Sequence, residues 1–227
     1  MSHVRAYMDR LRRNPSAGLL AVQLLGFLLY PLMETSPSSR ALFGAFGLVV
    51  LGAALWVVRR SPWLTWLGIL FALPVVVLSV VTAFRPGPEL LVWAAALECV
   101  FYFYATGSLI AYMLQDGVAT TDELFAAGAT FTLLAWAFAY AYVVCEAFFP
   151  GSFAAAGSAA AARTWMELLY LSVAVLSSVG LSDIVPVTPM ARAIVMLESF
   201  AGVMYIALVV SRLMGIATIS RQNESRR

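Results

Sequence analysis

The stretch TWMELLYLSVAVLSSVGLSDIVPVTP, residues 164–189, gives the clearest indication of how this chain folds. Its first part, residues 164–177, is apolar, and Thr164 followed three residues later by Glu167 predicts a capping box at a helix start. Such a helix is about 20 Å long, too short to cross the roughly 30 Å of a hydrocarbon layer. The glycine-containing residues 178–183 follow, and then a second apolar helix. The pattern therefore predicts a re-entrant loop that enters a membrane halfway and returns.

Non-helical backbone at membrane depth is tolerated only where protein buries it or where it lines a water-filled path. The carbonyls of residues 178–183 are then free to point at a central axis, where stacked oxygen rings replace the hydration shell of a cation. One chain supplies one loop, so a pore of this kind takes four copies. We therefore expect a homotetramer.

The composition indicates a protein that crosses a lipid bilayer several times. Of 227 residues, 62% are hydrophobic and only 11% are charged, whereas an ordinary soluble domain is about 25% charged. A net charge of +2 gives no indication of nucleic-acid binding. Six apolar runs are long enough to span, and they occupy residues 17–33, 41–58, 62–84, 90–114, 124–149 and 193–211.

Arginine counting sets the predicted orientation. With the N-terminus inside, the inner loops and termini hold ten arginines and the outer loops hold four. The positive-inside rule then places both termini in the cytoplasm. High alanine content and short loops favour a bacterial inner membrane.

Residues 164–215 resemble the pore module of the potassium-channel superfamily, including the bacterial ion-channel pore-domain proteins. Val179, Gly180 and Asp183 stand where that family's filter, Thr-Val-Gly-Tyr-Gly-Asp, has the same residues. The resemblance implies an all-α six-span tetrameric cation channel, in which four peripheral helices precede a two-helix pore module. It also implies K⁺ at the filter carbonyls of Ser178, Val179, Gly180, Leu181 and Ser182, with a ring of Asp183 carboxylates at the outer mouth.

Two filter positions depart from that pattern. Leu181 replaces an aromatic residue whose hydroxyl braces the filter. Ser182 replaces a glycine that adopts positive φ, and a left-handed non-glycine residue costs roughly 1–2 kcal/mol. Fewer carbonyl rings would weaken the discrimination of K⁺ from Na⁺. K⁺-selective conduction, weakly selective cation conduction and a non-conducting channel-like subunit therefore all stay open.

The predicted division of the chain follows from these features. We expect a surface loop with room for a short helix over residues 150–162. The expected parts are a cytoplasmic basic leader (1–15), a peripheral four-helix domain (16–115), a pore domain (122–215) and a short cytoplasmic tail (216–227). Within the pore domain, we expect an outer helix (122–149), a pore helix (164–177), a filter (178–183) and an inner helix (188–215).

Three acidic residues and one glycine in the apolar runs call for a role. Glu167 is expected to support the start of the pore helix. Glu198 lies about two turns into the inner helix and is expected to bond the back of the filter or the pore helix. Gly202 is a candidate gating hinge, with close packing as the alternative. Glu98 lies in the fourth span, where a functional role and a hydrogen-bonding role are equally open.

The sequence contains no familiar indication of the stimulus that opens the channel. The fourth span, residues 90–114, contains no arginine, so strong voltage gating is not expected. In the short tail, residues 216–227, we expect no cytoplasmic sensing domain. Gating is therefore expected through the membrane, the filter or an unidentified regulatory partner.

An enzyme is not expected, because a single histidine in the leader leaves no Cys–His or Ser–His catalytic pair and little zinc chemistry. The one histidine, His3, lies in the polar leader, and both Cys99 and Cys145 lie in apolar runs as expected for reduced, buried thiols. We expect no cofactor beyond a permeant monovalent cation, K⁺ or Na⁺. A secondary transporter remains an alternative, although only one re-entrant segment is found and transporters usually carry paired repeats.

Overall fold

The computed structural model describes residues 15–33, 39–58, 65–84, 87–115, 121–155 and 163–225. Within them the chain forms seven helices and one pair of short antiparallel strands. In chain order the elements are α1 (Pro15–Met33), α2 (Ser39–Val58), α3 (Thr65–Phe84), α4 (Pro88–Met113), α5 (Thr121–Phe148), β1 (Phe153–Ala155), α6 (Trp165–Leu176), β2 (Ile184–Pro186) and α7 (Pro189–Ser225). The largely helical structure agrees with the predicted all-α class.

Among the described residues, three helices are long and apolar enough to cross a membrane, namely α4, α5 and the part of α7 that spans Pro189–Val209. The described apolar stretches of α1, α2 and α3 are shorter and cover Pro15–Leu29, Phe46–Val57 and Trp66–Thr82. The chain is a membrane protein, and the count of six spans stays a prediction.

Helix α5 lies at the centre and packs against α1, α4, α6 and α7. Every side chain from Leu133 to Tyr140 is buried, as expected for a helix that is apolar on all sides. Gln23 of α1 attaches to it through two hydrogen bonds. Its Nε2 donates to the carbonyl of Ala129 at 3.4 Å, and its Oε1 accepts from the Thr132 hydroxyl at 2.6 Å. These two hydrogen bonds fix the position of α1 along α5.

Strand β1 precedes α6 in the chain and β2 follows it, and the two strands form a small antiparallel pair. Phe153 pairs with Pro186, and Ala155 pairs with Ile184. The backbone N–H of Val187 also donates to the carbonyl of Ser152 at 2.9 Å. The expected loop with room for a helix at residues 150–162 is therefore wrong at its start, because β1 gains backbone hydrogen bonds from β2. Residues 156–162 lie outside the described part of the chain.

The helices of the pore domain begin and end near the predicted residues, with one difference. The predicted end of the inner helix at residue 215 is wrong, because α7 continues to Ser225 through most of the predicted tail. The sequence offers no proline or glycine after Gly215 that would end a helix. The predicted leader lies outside the described residues except for Pro15.

Candidate functional site

Helix α6 starts with the capping box that the sequence predicts. Thr164 Oγ1 accepts from the backbone N–H of Glu167 at 3.3 Å, and Glu167 Oε2 accepts from the N–H of Thr164 at 2.6 Å. Arg163 Nη1 lies 3.5 Å from Glu167 Oε1. Glu167 therefore satisfies N–H groups at the helix start, where its negative charge also interacts favourably with the helix dipole.

Helix α6 ends at Leu176, and after Ser177 the chain continues into residues 178–183, hereafter the filter segment. Ser178 has φ 60° and its N–H donates to the carbonyl of Val175 at 2.9 Å. Gly180 has φ 68° and its N–H donates to the carbonyl of Ala174 at 2.9 Å. These bonds satisfy carbonyls that the last turn of a helix leaves free. The filter segment is thus tied directly to the end of α6.

The conformation of Ser182 differs from the expectation. Among the described non-glycine residues, only Ser178 has positive φ, so the left-handed cost of roughly 1–2 kcal/mol falls on Ser178 and not on Ser182. Ser182 instead has local hydrogen bonds. Its N–H donates to the carbonyl of Gly180 at 3.1 Å, and its Oγ accepts from the N–H of Ile184 at 3.1 Å. The side chain of Ser182 therefore helps to end the filter segment where β2 begins.

Most of the filter segment is exposed in the single chain. The exposed fraction is 62% at Val179 and 72% at Leu181, and Ser178, Gly180 and Asp183 are exposed as well. By contrast, Leu176, the last residue of α6, is fully buried. The chain thus holds a well-packed helix that presents an unpacked segment at its end.

Glu198 is fully buried and connects the three helices of the pore domain. On α7, its carboxyl group accepts hydrogen bonds from the hydroxyl of Tyr142 on α5 and from the hydroxyl of Ser172 on α6. The Ser172 hydroxyl also lies 2.8 Å from the carbonyl oxygen of Ala135. The contact of Glu198 is therefore with the pore helix. The sequence does not identify Tyr142 or Ser172, although a buried carboxyl group requires donors of this kind.

Gly202 is a position of close approach between α7 and α6. A Cβ atom at this position would lie 2.2 Å from the carbonyl oxygen of Leu176 and 2.9 Å from its carbonyl carbon. No side chain larger than hydrogen fits there without a shift of backbone.

A polar network that the sequence analysis does not anticipate lies at the other end of α5. Arg212 Nη2 of α7 lies 2.7 Å from Glu123 Oε2. The neighbouring Asp122 accepts from the N–H and the hydroxyl of Ser16, both at 3.0 Å, and from the Tyr112 hydroxyl at 3.2 Å. The first turn of α5 thereby joins the start of α1, the end of α4 and the inner helix. The acidic pair at the start of an apolar helix is the sequence signal that would have indicated it.

Comparison with known protein families gives a match to part of the chain. Residues 128–218 match the model of a family described as ion channel. The matched segment covers most of α5, all of α6, the filter segment and most of α7, which is less than half of the chain. No curated protein and no solved structure matches it.

The match and the geometry agree on the class of protein. The match over residues 128–218 confirms the resemblance of this segment to a pore module of the potassium-channel superfamily. The matched family is one of ion channels and not of enzymes.

Proposed function

We propose that four copies of this chain form a cation channel that passes K⁺ through the carbonyl oxygens of the filter segment. The observation that carries this proposal is the arrangement of α6 and the filter segment between α5 and α7. Val179 and Leu181 are exposed at the end of a helix that is otherwise anchored. Three further copies around an axis would cover these residues and bring four sets of carbonyls together.

The surface of α7 supports an assembly of this kind. Its large apolar side chains are more than half exposed in the single chain at positions Met196, Leu197, Phe200, Val203 and Met204. Such a surface is stable against lipid or against a second copy, and not in water. In a tetramer, an inner helix that lines or borders the pore contacts both lipid and a second copy of the chain.

The proposed roles follow the positions of the side chains. The filter carbonyls bind K⁺, and four Asp183 carboxylates concentrate cations at the outer mouth. Glu167 and Glu198 support the two ends of the pore helix. For Gly202 we favour close packing against Leu176 over a gating hinge, because the contact leaves no space for a side chain.

We further propose that the channel is not strongly voltage-gated and takes no cofactor. The charged residues in α4 are Glu89 and Glu98, and both are acidic, whereas a voltage sensor requires several basic charges. A regulatory partner remains part of the proposal. So does a bacterial inner membrane with both termini in the cytoplasm.

A weakly selective cation channel is the second candidate. Leu181 has no hydroxyl with which to brace the filter, and Ser178 has an unfavourable left-handed backbone. Both features favour a filter with fewer ordered carbonyl rings. A non-conducting subunit and a secondary transporter are the remaining alternatives.

The experiment combines the mass of the purified protein with cation flux from liposomes. A homotetramer has four times the chain mass of 24.6 kDa, and its liposomes release K⁺ when a counter-ion pathway is added. The matched control is G180A, because Gly180 at φ 68° has a conformation that alanine rarely adopts. We expect this variant to keep the tetramer mass and lose the flux. A tetramer without K⁺ flux would favour the non-conducting subunit, and a monomer that moves K⁺ would favour a transporter.

A further inference from the structure

Four aromatic side chains form a closed cluster between the peripheral helices and the start of the pore helix. Tyr102 of α4 stacks on Tyr140 of α5, with ring centroids 5.7 Å apart and planes 8° apart. Tyr140 contacts Trp165 at 5.3 Å, Trp165 contacts Trp136 at 5.0 Å, and Trp136 contacts Tyr102 at 5.6 Å. Each ring of this four-ring cluster therefore touches two others.

Three rings of the cluster are buried, and the fourth, Trp165, is half-buried at the start of α6. The exposed fraction is 1% at Tyr102, 1% at Trp136 and 7% at Tyr140. Trp165 is the first residue of α6 and follows the N-cap Thr164. Through Tyr102, helix α4 is thus linked by aromatic contacts to the end of the pore helix that is opposite the filter segment.

Glu98 is the polar anchor of the cluster. It lies one turn before Tyr102 on α4, and its carboxyl group interacts with the side chains of Tyr140 of α5 and Ser79 of α3. It is the one acidic residue among residues 90–114. An acidic side chain at membrane depth is costly and is retained where it has a role. Here it lies beside Tyr140, whose ring contacts Trp165.

The opposite end of α6 is held by other contacts, since Ser172 bonds to Glu198 and Gly202 packs on Leu176. A helix of 12 residues is a short rigid rod of about 18 Å. A shift at its first residue therefore moves the filter segment at its other end, unless the contacts there absorb it.

We propose that Glu98 and Tyr140, acting through the four-ring cluster, are positioning residues by which the peripheral helices set the pore helix and, with it, the filter segment. This inference rests on the proposed channel function. It gives the peripheral domain a direct route to the filter that does not pass through the inner helix.

The test compares Y140F and E98A with E98Q and with a matched control. Y140F removes one hydroxyl and keeps the ring, whereas E98A removes the acceptor. E98Q keeps an acceptor oxygen for Tyr140 and Ser79. The control is F103L, because Phe103 contacts Phe138 at 5.1 Å in the same α4–α5 interface without touching the four-ring cluster.

Two measurements are made on each variant as purified full-length protein. The first is the permeability ratio of K⁺ to Na⁺ together with the open probability in a planar bilayer. The second is the rate of hydrogen exchange in residues 165–176, which does not depend on conduction. We expect Y140F and E98A to change the ratio or the open probability by about three- to thirtyfold, and to speed exchange in α6. E98Q and F103L stay near wild type.

The inference is overturned if Y140F and E98A behave like F103L in both measurements. If the wild type carries no current, the proposed function fails, and the exchange rates alone decide whether the cluster holds the pore helix. The double variant E98A/Y140F adds a check, because residues that act in one contact give less than additive effects.

Discussion

Gly202 of the inner helix lies directly against the carbonyl oxygen of Leu176 in the last turn of the pore helix. The Glu198–Ser172 hydrogen bond lies four residues earlier on both helices. Because residues four apart share one face of a helix, the two contacts lie along one line between α7 and α6. The inner helix thus holds the pore helix at two successive turns, and the second turn leads into the filter segment.

The Gly202 contact predicts that G202A destabilises the protein. A methyl group there would lie 2.2 Å from the Leu176 oxygen, and such overpacking costs about 1–3 kcal/mol. The free energy of unfolding in detergent is the measurement. The matched control is G52A, since a Cβ at Gly52 meets nothing within 4 Å and alanine favours helix. Equal stability of G202A and G52A would contradict the close approach.

Glu198 is predicted to matter as a hydrogen-bond acceptor. E198A leaves the buried Tyr142 hydroxyl without its partner, and an unsatisfied buried donor costs about 1–3 kcal/mol. E198Q keeps an acceptor oxygen and should retain most of the stability. Thermal unfolding of both variants is compared with that of E89A, which removes an exposed glutamate. A loss in E198Q as large as that in E198A would show that the charge matters and not the acceptor.

The Glu123–Arg212 pair is predicted to hold the inner helix against the start of α5. Its side chains are only 7% and 17% exposed, and removal of one partner from a buried pair costs about 3 kcal/mol. We expect E123Q and R212Q to lower stability and to change the open probability. The exchanged pair E123R/R212E should recover part of the lost stability and part of the wild-type open probability. R192Q, which removes an exposed arginine of α7, is the control, and an exchange that recovers nothing speaks against the pair.

Glycine substitutions at the two serines of the filter segment are predicted to have opposite effects. S178G relieves a left-handed residue at φ 60° and should stabilise the protein by about 1 kcal/mol. S182G removes the hydroxyl that accepts from Ile184 and adds chain freedom, so it should destabilise by about 1 kcal/mol. The thermal unfolding temperatures of S178G and S182G, each compared with that of the wild type, measure these opposite effects. The opposite order would mean that the strained position is Ser182, as the family pattern implies.

Local features of the pore domain were predictable from sequence because neighbouring residues encode them. Thr164 and Glu167 predict their capping box by spacing alone, and the length of the apolar run fixes α6. The partners of Glu198 were not predictable, since Tyr142 lies 56 residues away and only packing brings it near. The strand β1 was missed because three small or aromatic residues give no period until β2 lies beside them.

The backbone conformation of the filter segment was not predictable from the sequence either. The family pattern assigns positive φ to the position of Ser182, whereas the helix end places it at Ser178. The cap is set by bonds to Val175 and Ala174, which depend on where α6 stops.

The reversal potential of the purified protein in a planar bilayer, under opposed K⁺ and Na⁺ gradients, distinguishes a K⁺-selective channel from a weakly selective one. We expect current that reverses close to the K⁺ equilibrium potential. We also expect this current to be absent in G180A. A clear current that reverses near zero would contradict K⁺ selectivity and establish a weakly selective cation pore.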